Sequence, residues 1–301
     1  MPGSKKRILF IINPVSGVHS GQKTGFPELA KQYLDKSKFR ITCIYSESAQ
    51  HAYEISRQAA FDGVDIIAAV GGDGTANSVV KGMHGSNSVF ALIPTGSGNG
   101  LARFLNIPLE VPKSLALIND LYIKPIDTIT VNNEMFVSIA GVGFDALVAK
   151  RFAKAGRRGF FTYFHIALQA FPGYRPRKYK MIIDGEPLKR KALFISFANS
   201  NQFGYNTVIA PSASIDDGYM DISIVMKPPV FEAPFILGLL WRHKIENSDY
   251  IEIVKAKEVF LPRNKNRVIN LDGEPVKVGK DLNFKVNPLS LRMIVPSAQQ
   301  E

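Results

Sequence analysis

The chain has 301 residues, 46% hydrophobic and 21% charged, a globular balance that excludes a disordered chain and suffices for two domains with separate cores. Its single cysteine excludes an internal disulfide framework and fits a reducing compartment, while the net charge of +11 asks for an anionic partner. No aromatic–basic motif or recognition helix accompanies that charge, so a lipid surface is favoured over nucleic acid.

The N-terminal Met-Pro-Gly-Ser-Lys-Lys-Arg is followed by no apolar h-region. The longest apolar run, 234–241, falls far below the ~18 residues of a membrane span. The expectation is a cytoplasmic protein without a transmembrane segment. Residues 7–12 form an apolar strand, 39–45 a second, 65–70 a third and 89–93 a fourth. Helical segments separate them, such as 49–60, where Ala52, Ile55 and Ala59 share a face. Cys43, near Ile41 and Ile44, reads as a packed core thiol. This alternation predicts a parallel sheet covered by helices on both sides, with ligands beyond the C-terminal strand ends. Four polar loops follow those ends: NPVSG at 13–17, Ser46-Glu47-Ser48, GGDGT at 71–75 and PTGSGNG at 94–100.

After Lys124-Pro125 the texture changes. Short β-rich runs at 127–131, 180–183, 192–197, 220–225 and 267–271, separated by turn residues, predict an antiparallel sandwich or barrel. Helical stretches at 160–171 and 231–241 interrupt it, and 289–295 is a final strand.

In GGDGT, the glycines Gly71, Gly72 and Gly74 allow close approach to a phosphate. Thr75 can cap a helix starting near Ala76, whose N-terminus offers N–H groups to an anion. Asp73 would repel a phosphate unless a divalent cation stands between them or the carboxylate acts on a proton. The plainer alternative is a tight turn with Asp73 as an Asx cap. The string is neither a Walker loop nor a dinucleotide fingerprint. One strand later, Gly96, Ser97, Gly98 and Asn99 repeat the pattern before a helix from about Leu101. There Ser97 and Asn99 can donate to phosphate or ribose oxygens. Alone this is a glycine-rich turn; beside the first loop it becomes a nucleotide cradle. Asn13, Ser16 and Gly17, stiffened by Pro14, can orient the phosphate-facing loops or form an ordinary β-turn.

LDGEP at 271–275 holds Asp272 and Glu274, one suited to accept a proton and the other to face a metal or nucleotide. The pattern recurs as IDGEP at 183–187, and Asp-Gly is a favoured hairpin turn, so from the residues alone either copy could be geometry. Basic clusters at 150–158 and 175–180 flank the aromatic stretch 160–171. That combination reads either as a buried helix with a solvated basic end or as a surface resting on anionic headgroups.

NPVSG, GGDGT, PTGSGNGLAR, GVGFDA and LDGEP, in this order and spacing, resemble the diacylglycerol kinase catalytic family, which includes bacterial lipid kinases and sphingosine kinases. The resemblance covers nearly the whole chain. It implies an α/β Rossmann-like nucleotide domain, 1–126, followed by a mostly antiparallel β-sandwich lipid-binding domain, 127–287, with 288–301 open to returning to the first. It also implies transfer of the ATP γ-phosphate, with Mg2+, to a diacylglycerol- or sphingoid-type hydroxyl at an anionic membrane to which the enzyme attaches peripherally. Carried over by position, Ser46, Gly71, Gly72, Asp73, Gly74, Thr75, Ala76, Asn77 and Ser97 look like nucleotide contacts. Asp272 looks like the general base, with Glu274 beside it and Asp73 as the other catalytic carboxylate, and Asp184 becomes the decoy turn. Asp145, within GVGFDA, matches a residue facing the lipid headgroup in sphingosine kinases. Asp216 and Asp217 resemble a turn at which bacterial members bind structural magnesium, or else form another Asp-Gly hairpin.

Two departures stand out. Gly100 replaces the Asp found in many bacterial diacylglycerol kinases, bringing the loop closer to the sphingosine-kinase form. The Asn13 loop lacks an immediate lysine, leaving Lys23 to supply any cation. Two rivals remain: an NAD kinase, which shares GGDGT but whose Asn-Glu motif is missing here, and a non-catalytic nucleotide or lipid sensor. The oligomeric state is left open.

Overall fold

The computed structural model describes residues 5–17, 25–156, 159–205 and 207–297. The chain divides into two compact units, Met1–Ile126 with Leu289–Glu301, and Asp127–Pro288.

The first unit runs β1 (Lys6–Ile12), α1 (Phe26–Tyr33), β2 (Phe39–Tyr45), α2 (Ala49–Phe61), β3 (Ile66–Gly71), α3 (Asp73–Met83), β4 (Val89–Pro94), α4 (Gly100–Phe104) and α5 (Val111–Leu117). Its strands lie parallel in the order β2-β1-β3-β4. Every residue of β3 and β4 is buried, as expected of central strands covered on both faces. β2 is the edge, and it corrects one expectation. Cys43 is half-buried there, between exposed Thr42 and Ile44, rather than packed in the core. Burial still pushes its thiol up to about 11, which keeps it protonated and unreactive at neutral pH.

β5 (Ile123–Val131) runs from the first unit into the second, which continues through β6 (Glu134–Phe136), β7 (Ile139–Gly143), α6 (Phe144–Lys154), α7 (Phe160–Ala170), β8 (Arg177–Ile183), β9 (Glu186–Ala192), β10 (Phe194–Ala198) and β11 (Met220–Val225). Then come α8 (Ala233–Trp241), β12 (Ile251–Ala256), β13 (Glu258–Leu261), β14 (Ile269–Leu271), β15 (Glu274–Val276) and β16 (Leu282–Ile294), whose residues from Leu289 belong to the first unit. One antiparallel sheet has the order β12-β11-β10-β7-β14-β15. Facing it, β16, β13, β8 and β9 pair antiparallel in turn. The inner faces meet where Phe197 of β10 stacks on Phe284 of β16, ring centroids 3.8 Å apart, with Phe136 edge-on to Phe284 at 6.4 Å. In β8, Tyr179, Met181 and Ile183 point inward and alternate with exposed residues, the period-two signature of a half-buried strand.

Two sequence expectations are corrected. The run 192–197 is the end of β9 and the start of β10, split at Leu193. The final strand begins at Leu282 rather than 289, and its end, at Met293, lies parallel to Phe90 of β4. Among the described residues no helix is long and apolar enough to cross a membrane.

Candidate functional site

In the first unit the strand ends share one level. Ile12 is in register with both Tyr45 and Val70, and Gly71 with Pro94. Backbone bonds continue past them, from Ser46 N–H to Ile12 C=O at 2.8 Å, Asn13 N–H to Val70 C=O at 3.0 Å and Thr95 N–H to Gly71 C=O at 2.8 Å. The loops therefore leave the sheet edge side by side. Asn13 Nδ2 donates to Thr75 Oγ1 at 3.0 Å, and the Ser16 and Thr95 hydroxyls are 3.3 Å apart. A Cβ on Gly17 would collide with the Thr95 carbonyl, so the NPVSG loop packs directly on PTGSG.

The closest contact is between glycines. A Cβ built on Gly72 would lie 3.1 Å from Gly96 Cα, and one built on Gly96 would overlap Gly72 Cα outright. Any side chain at either position would force the two backbones apart. The arrangement sets two half-buried glycine-rich stretches, Gly72–Gly74 and Gly96–Gly98, side by side, their only side chains those of Asp73 and Ser97. Such surfaces suit oxygen-rich anions.

Several sequence-predicted roles change here. α3 begins at Asp73 with Gly72 as N-cap and no side-chain cap, so Thr75 is not the capping residue. Its hydroxyl instead accepts from Asn13, and the helix starts three residues earlier than expected. Asp73 is half-buried and accepts from the Leu101 N–H at 3.3 Å, tying the first glycine loop to the start of α4. Burial pushes its pKa up, opposed by the Gly100 and Leu101 N–H groups. Asn99, at φ +54°, donates its Nδ2 to Gly96 C=O at 2.9 Å. It is buried and its amide braces the loop, while Oδ1 meets no hydrogen-bond partner among the described residues. Ser97 and Gly98 remain half-buried, with Gly98 C=O held by Arg103 Nε at 3.1 Å. Ser46 is buried, its hydroxyl 3.3 Å from Ile12 C=O. Ala76 is fully buried, and Asn77 follows it in α3. Lys23 lies outside the described residues.

In the second unit, Asp272 and Gly273 join β14 to β15 with φ +46° and +90°, a type I′ hairpin. Asp272 Oδ1 accepts the N–H groups of Ser138 and Ile139, both at 2.9 Å, and Oδ2 accepts that of Val137 at 3.0 Å. The decoy is built alike. Asp184 and Gly185 have φ +47° and +91°, and Asp184 Oδ1 accepts from Lys257 N at 3.0 Å and Glu258 N at 2.8 Å. Both carboxylates fasten a hairpin to the next strand. They differ in surroundings: Asp184 is exposed, whereas Asp272 is 6% exposed among other buried polar groups. Glu274 is exposed at the start of β15.

Asn270, which the sequence reading missed, links those groups. Its Nδ2 donates to Asp145 Oδ2 at 2.9 Å, and its Oδ1 accepts from Gly273 N at 3.0 Å. Asp145, in the first turn of α6, also accepts from the Tyr163 hydroxyl of α7 at 3.2 Å. A Cβ on Gly141 would overlap Asp145 Oδ2, which explains glycine there. Asn199, also missed, is fully buried and donates to the carbonyls of Asp127 and Val137, both at 2.9 Å. A lone amide inside a fully buried strand such as Ile269–Leu271 was the available signal, since buried polar groups need partners.

Burial pushes the Asp145 carboxyl up to about 6, only partly offset by Asn270 and Tyr163. The folded protein thus keeps a proton that the unfolded chain releases near 3.8, and stability falls as pH rises between those values. Asp145→Asn can keep the Asn270 bond on its oxygen and reverse the other, its NH2 donating to the Tyr163 oxygen; it should abolish that fall and raise stability at pH 7 by up to about 3 kcal/mol. Thermal melts of both proteins across the acid range check it; equal pH dependence would refute it.

At the third acidic turn, Asp216 Oδ1 accepts from Ser214 Oγ at 2.7 Å and Asp217 Oδ1 from Tyr219 N at 3.0 Å. Lys255 Nζ stands 2.5 Å from Asp217 Oδ2 and 3.6 Å from Asp221 Oδ2. A magnesium ion here would have to displace that ammonium, so the donor set suits an ion pair and does not fit a resident metal. Among the described residues no three His, Cys, Asp or Glu side chains group to hold one.

Residues 7–131 match the diacylglycerol kinase catalytic domain, and residues 138–295 match the YegS C-terminal NAD kinase beta sandwich-like domain. A diacylglycerol kinase of Bacillus subtilis (strain 168) is 28% identical over 274 residues, covering 89% of this chain and 90% of that protein. One from Staphylococcus saprophyticus is 25% identical, covering 90% and 89%. A Bacillus anthracis (strain Sterne) structure superposes with a TM-score of 0.79 at 21% identity, covering 99% of each chain. Another from that organism, described as a diacylglycerol kinase, gives 0.72 at 20% identity over 98% of this chain and 99% of that one. With both of its units matched in order, the chain belongs to the diacylglycerol kinase catalytic family, in the form that ends in a YegS-type β-sandwich-like domain.

Proposed function

We propose that the protein is an ATP-dependent lipid kinase, transferring the γ-phosphate to a hydroxyl of a diacylglycerol- or sphingoid-type lipid. The observation that carries this reading is the side-chain-free contact of Gly72 with Gly96, a phosphate cradle made of backbone beyond a parallel sheet. The curated relatives named diacylglycerol kinase, matched over about nine-tenths of the chain, support the acceptor class.

The Gly71–Asn77 and Gly96–Asn99 loops hold the triphosphate, with Asn13, Ser16 and Gly17 bracing them and Ser46 beside them. Asp73 keeps the two glycine loops in register. Asp272 takes the proton of the lipid hydroxyl as its oxygen bonds to the γ-phosphorus; the bond to the bridging oxygen breaks and ADP leaves with the electron pair. The three backbone N–H bonds hold that carboxylate in one orientation. Asp145, braced by Asn270, receives the polar headgroup, and Glu274 stands at the hairpin beside the base. Magnesium, travelling with the nucleotide, would supply charge neutralisation for the phosphoryl group. The exposed cations Lys150, Arg151 and Lys154 of α6, with exposed Phe161 in α7, set this cytoplasmic enzyme peripherally on an anionic membrane. Arg157 and Arg158 of that basic cluster lie outside the described residues.

The test is transfer of radiolabel from ATP, with magnesium, to a panel of diacylglycerol, monoacylglycerol, sphingosine, ceramide and phosphatidylglycerol in mixed micelles, with NAD alongside. Label in one lipid supports the reading and names its substrate. Label in NAD alone would replace it with the NAD-kinase reading. ATP binding with no label anywhere would leave a nucleotide or lipid sensor.

A further inference from the structure

Single exposed apolar side chains are ordinary on a protein surface, whereas a contiguous patch marks something that covers it. Val230 is 59% exposed, Phe231 82% and Phe235 66%, at the entry to and within α8. All of the residues 233–241 are apolar or glycine, so no rotation of this helix could turn a polar face to water. A helix apolar all round belongs in an apolar medium, yet Gly238, Leu239 and Leu240 are only half-buried. Nine residues make a helix of about 14 Å, less than half the ~30 Å hydrocarbon core, so it can enter one leaflet and cannot cross.

The segment is tied to α7. Lys227 Nζ donates to the carbonyls of Pro172 at 3.0 Å and Tyr174 at 2.8 Å, and lies 5.1 Å from the Phe171 ring centroid. α7 itself exposes Phe161 and Leu168. Charge along the stretch of chain that carries α6 and α7 is one-sided. Between Asp145 and Asp184 the chain carries nine lysines and arginines and no acid. Arg242 and Lys244, directly after α8, are exposed as well. Of the acids near α8, Glu232 is engaged by the Tyr250 hydroxyl, while Glu246 and Asp249 are exposed.

We propose that α8, with Val230 and Phe231, is a monotopic anchor that inserts into the interfacial layer of an anionic bilayer beside α7, the surrounding cations lying on lipid phosphates. The proposal rests on the lipid-kinase reading only in taking the acceptor to reside in a membrane, and vesicle binding is measured without ATP. Co-sedimentation should carry the protein down with phosphatidylcholine–phosphatidylglycerol vesicles, and much less with phosphatidylcholine alone. In co-sedimentation, Phe231→Ser/Phe235→Ser should weaken partition at least about tenfold while leaving the melting temperature intact. Phosphorylation of a short-chain diacylglycerol in detergent should be unchanged. Wild-type protein that stays off the anionic vesicles, or a double variant that binds them like wild type, overturns the proposal. So does light scattering showing that the substitutions turn a dimer into a monomer, because a second copy would then cover α8. If the wild-type protein phosphorylates no lipid, the kinase reading falls while the vesicle result still decides the anchor.

Discussion

Asp272→Asn is expected to lower kcat for lipid phosphorylation by about 10²–10⁴-fold, the usual contribution of a positioned general base. The substitution has a structural cost as well. An asparagine can keep its oxygen on the Ser138 and Ile139 N–H groups, but its NH2 then faces the Val137 N–H, leaving a buried donor unpaired. That loss is worth about 1–3 kcal/mol. Asp184→Asn separates the two effects, because the same turn at an exposed site performs only the fastening. It should lose little stability and no turnover. Steady-state kcat and melting temperature measured together for both variants decide the matter. If Asp272→Asn melts early yet turns over normally, Asp272 is a fastener like its twin, and the base must be sought elsewhere, Asp73 first.

Gly96→Ala is the second large effect. The added methyl would overlap Gly72 Cα and crowd Asn99 Oδ1; the amide could turn away, but the Gly72 backbone could not. The loops must separate by something near an ångström, and misplacement on that scale costs about 10²-fold in a positioned reaction. Overpacking adds about 1–3 kcal/mol of destabilisation. The damage should fall on ATP, as a raised KM and a weakened calorimetric affinity, and leave the KM for lipid nearly unchanged. ATP binding at wild-type strength would show that the glycine contact is not the phosphate cradle.

The four strands of the first unit were readable because a buried parallel strand is a continuous apolar run, and β1, β3 and β4 announce themselves that way. Both hairpins were equally plain, since Asp-Gly satisfies a turn with positive φ at both central positions. Local rules failed where a contact from elsewhere in the chain competed. Thr75 looks like a cap, but the chain turns earlier, at Gly72, where the approach of Gly96 requires bare backbone. Asn99 looks like a donor to ligand, and the fold gives it a second task, since one of its two amide hydrogens goes to Gly96 C=O. Cys43 looks like core, yet β2 lies at the edge of the sheet, a placement set by strand order and not by its residues.

By itself the sequence determined the two architectures, the loops that line one sheet edge and the two identical acidic hairpins, because each follows from residue-to-residue periodicity and turn chemistry. Only the tertiary structure decided how the hairpins differ. The bonds that hold Asp272 come from residues 133 to 135 positions away, and the amide that joins its turn to Asp145 reaches across 125. Burial and partnership at such separations depend on which strands become neighbours, and a pentapeptide carries no record of that.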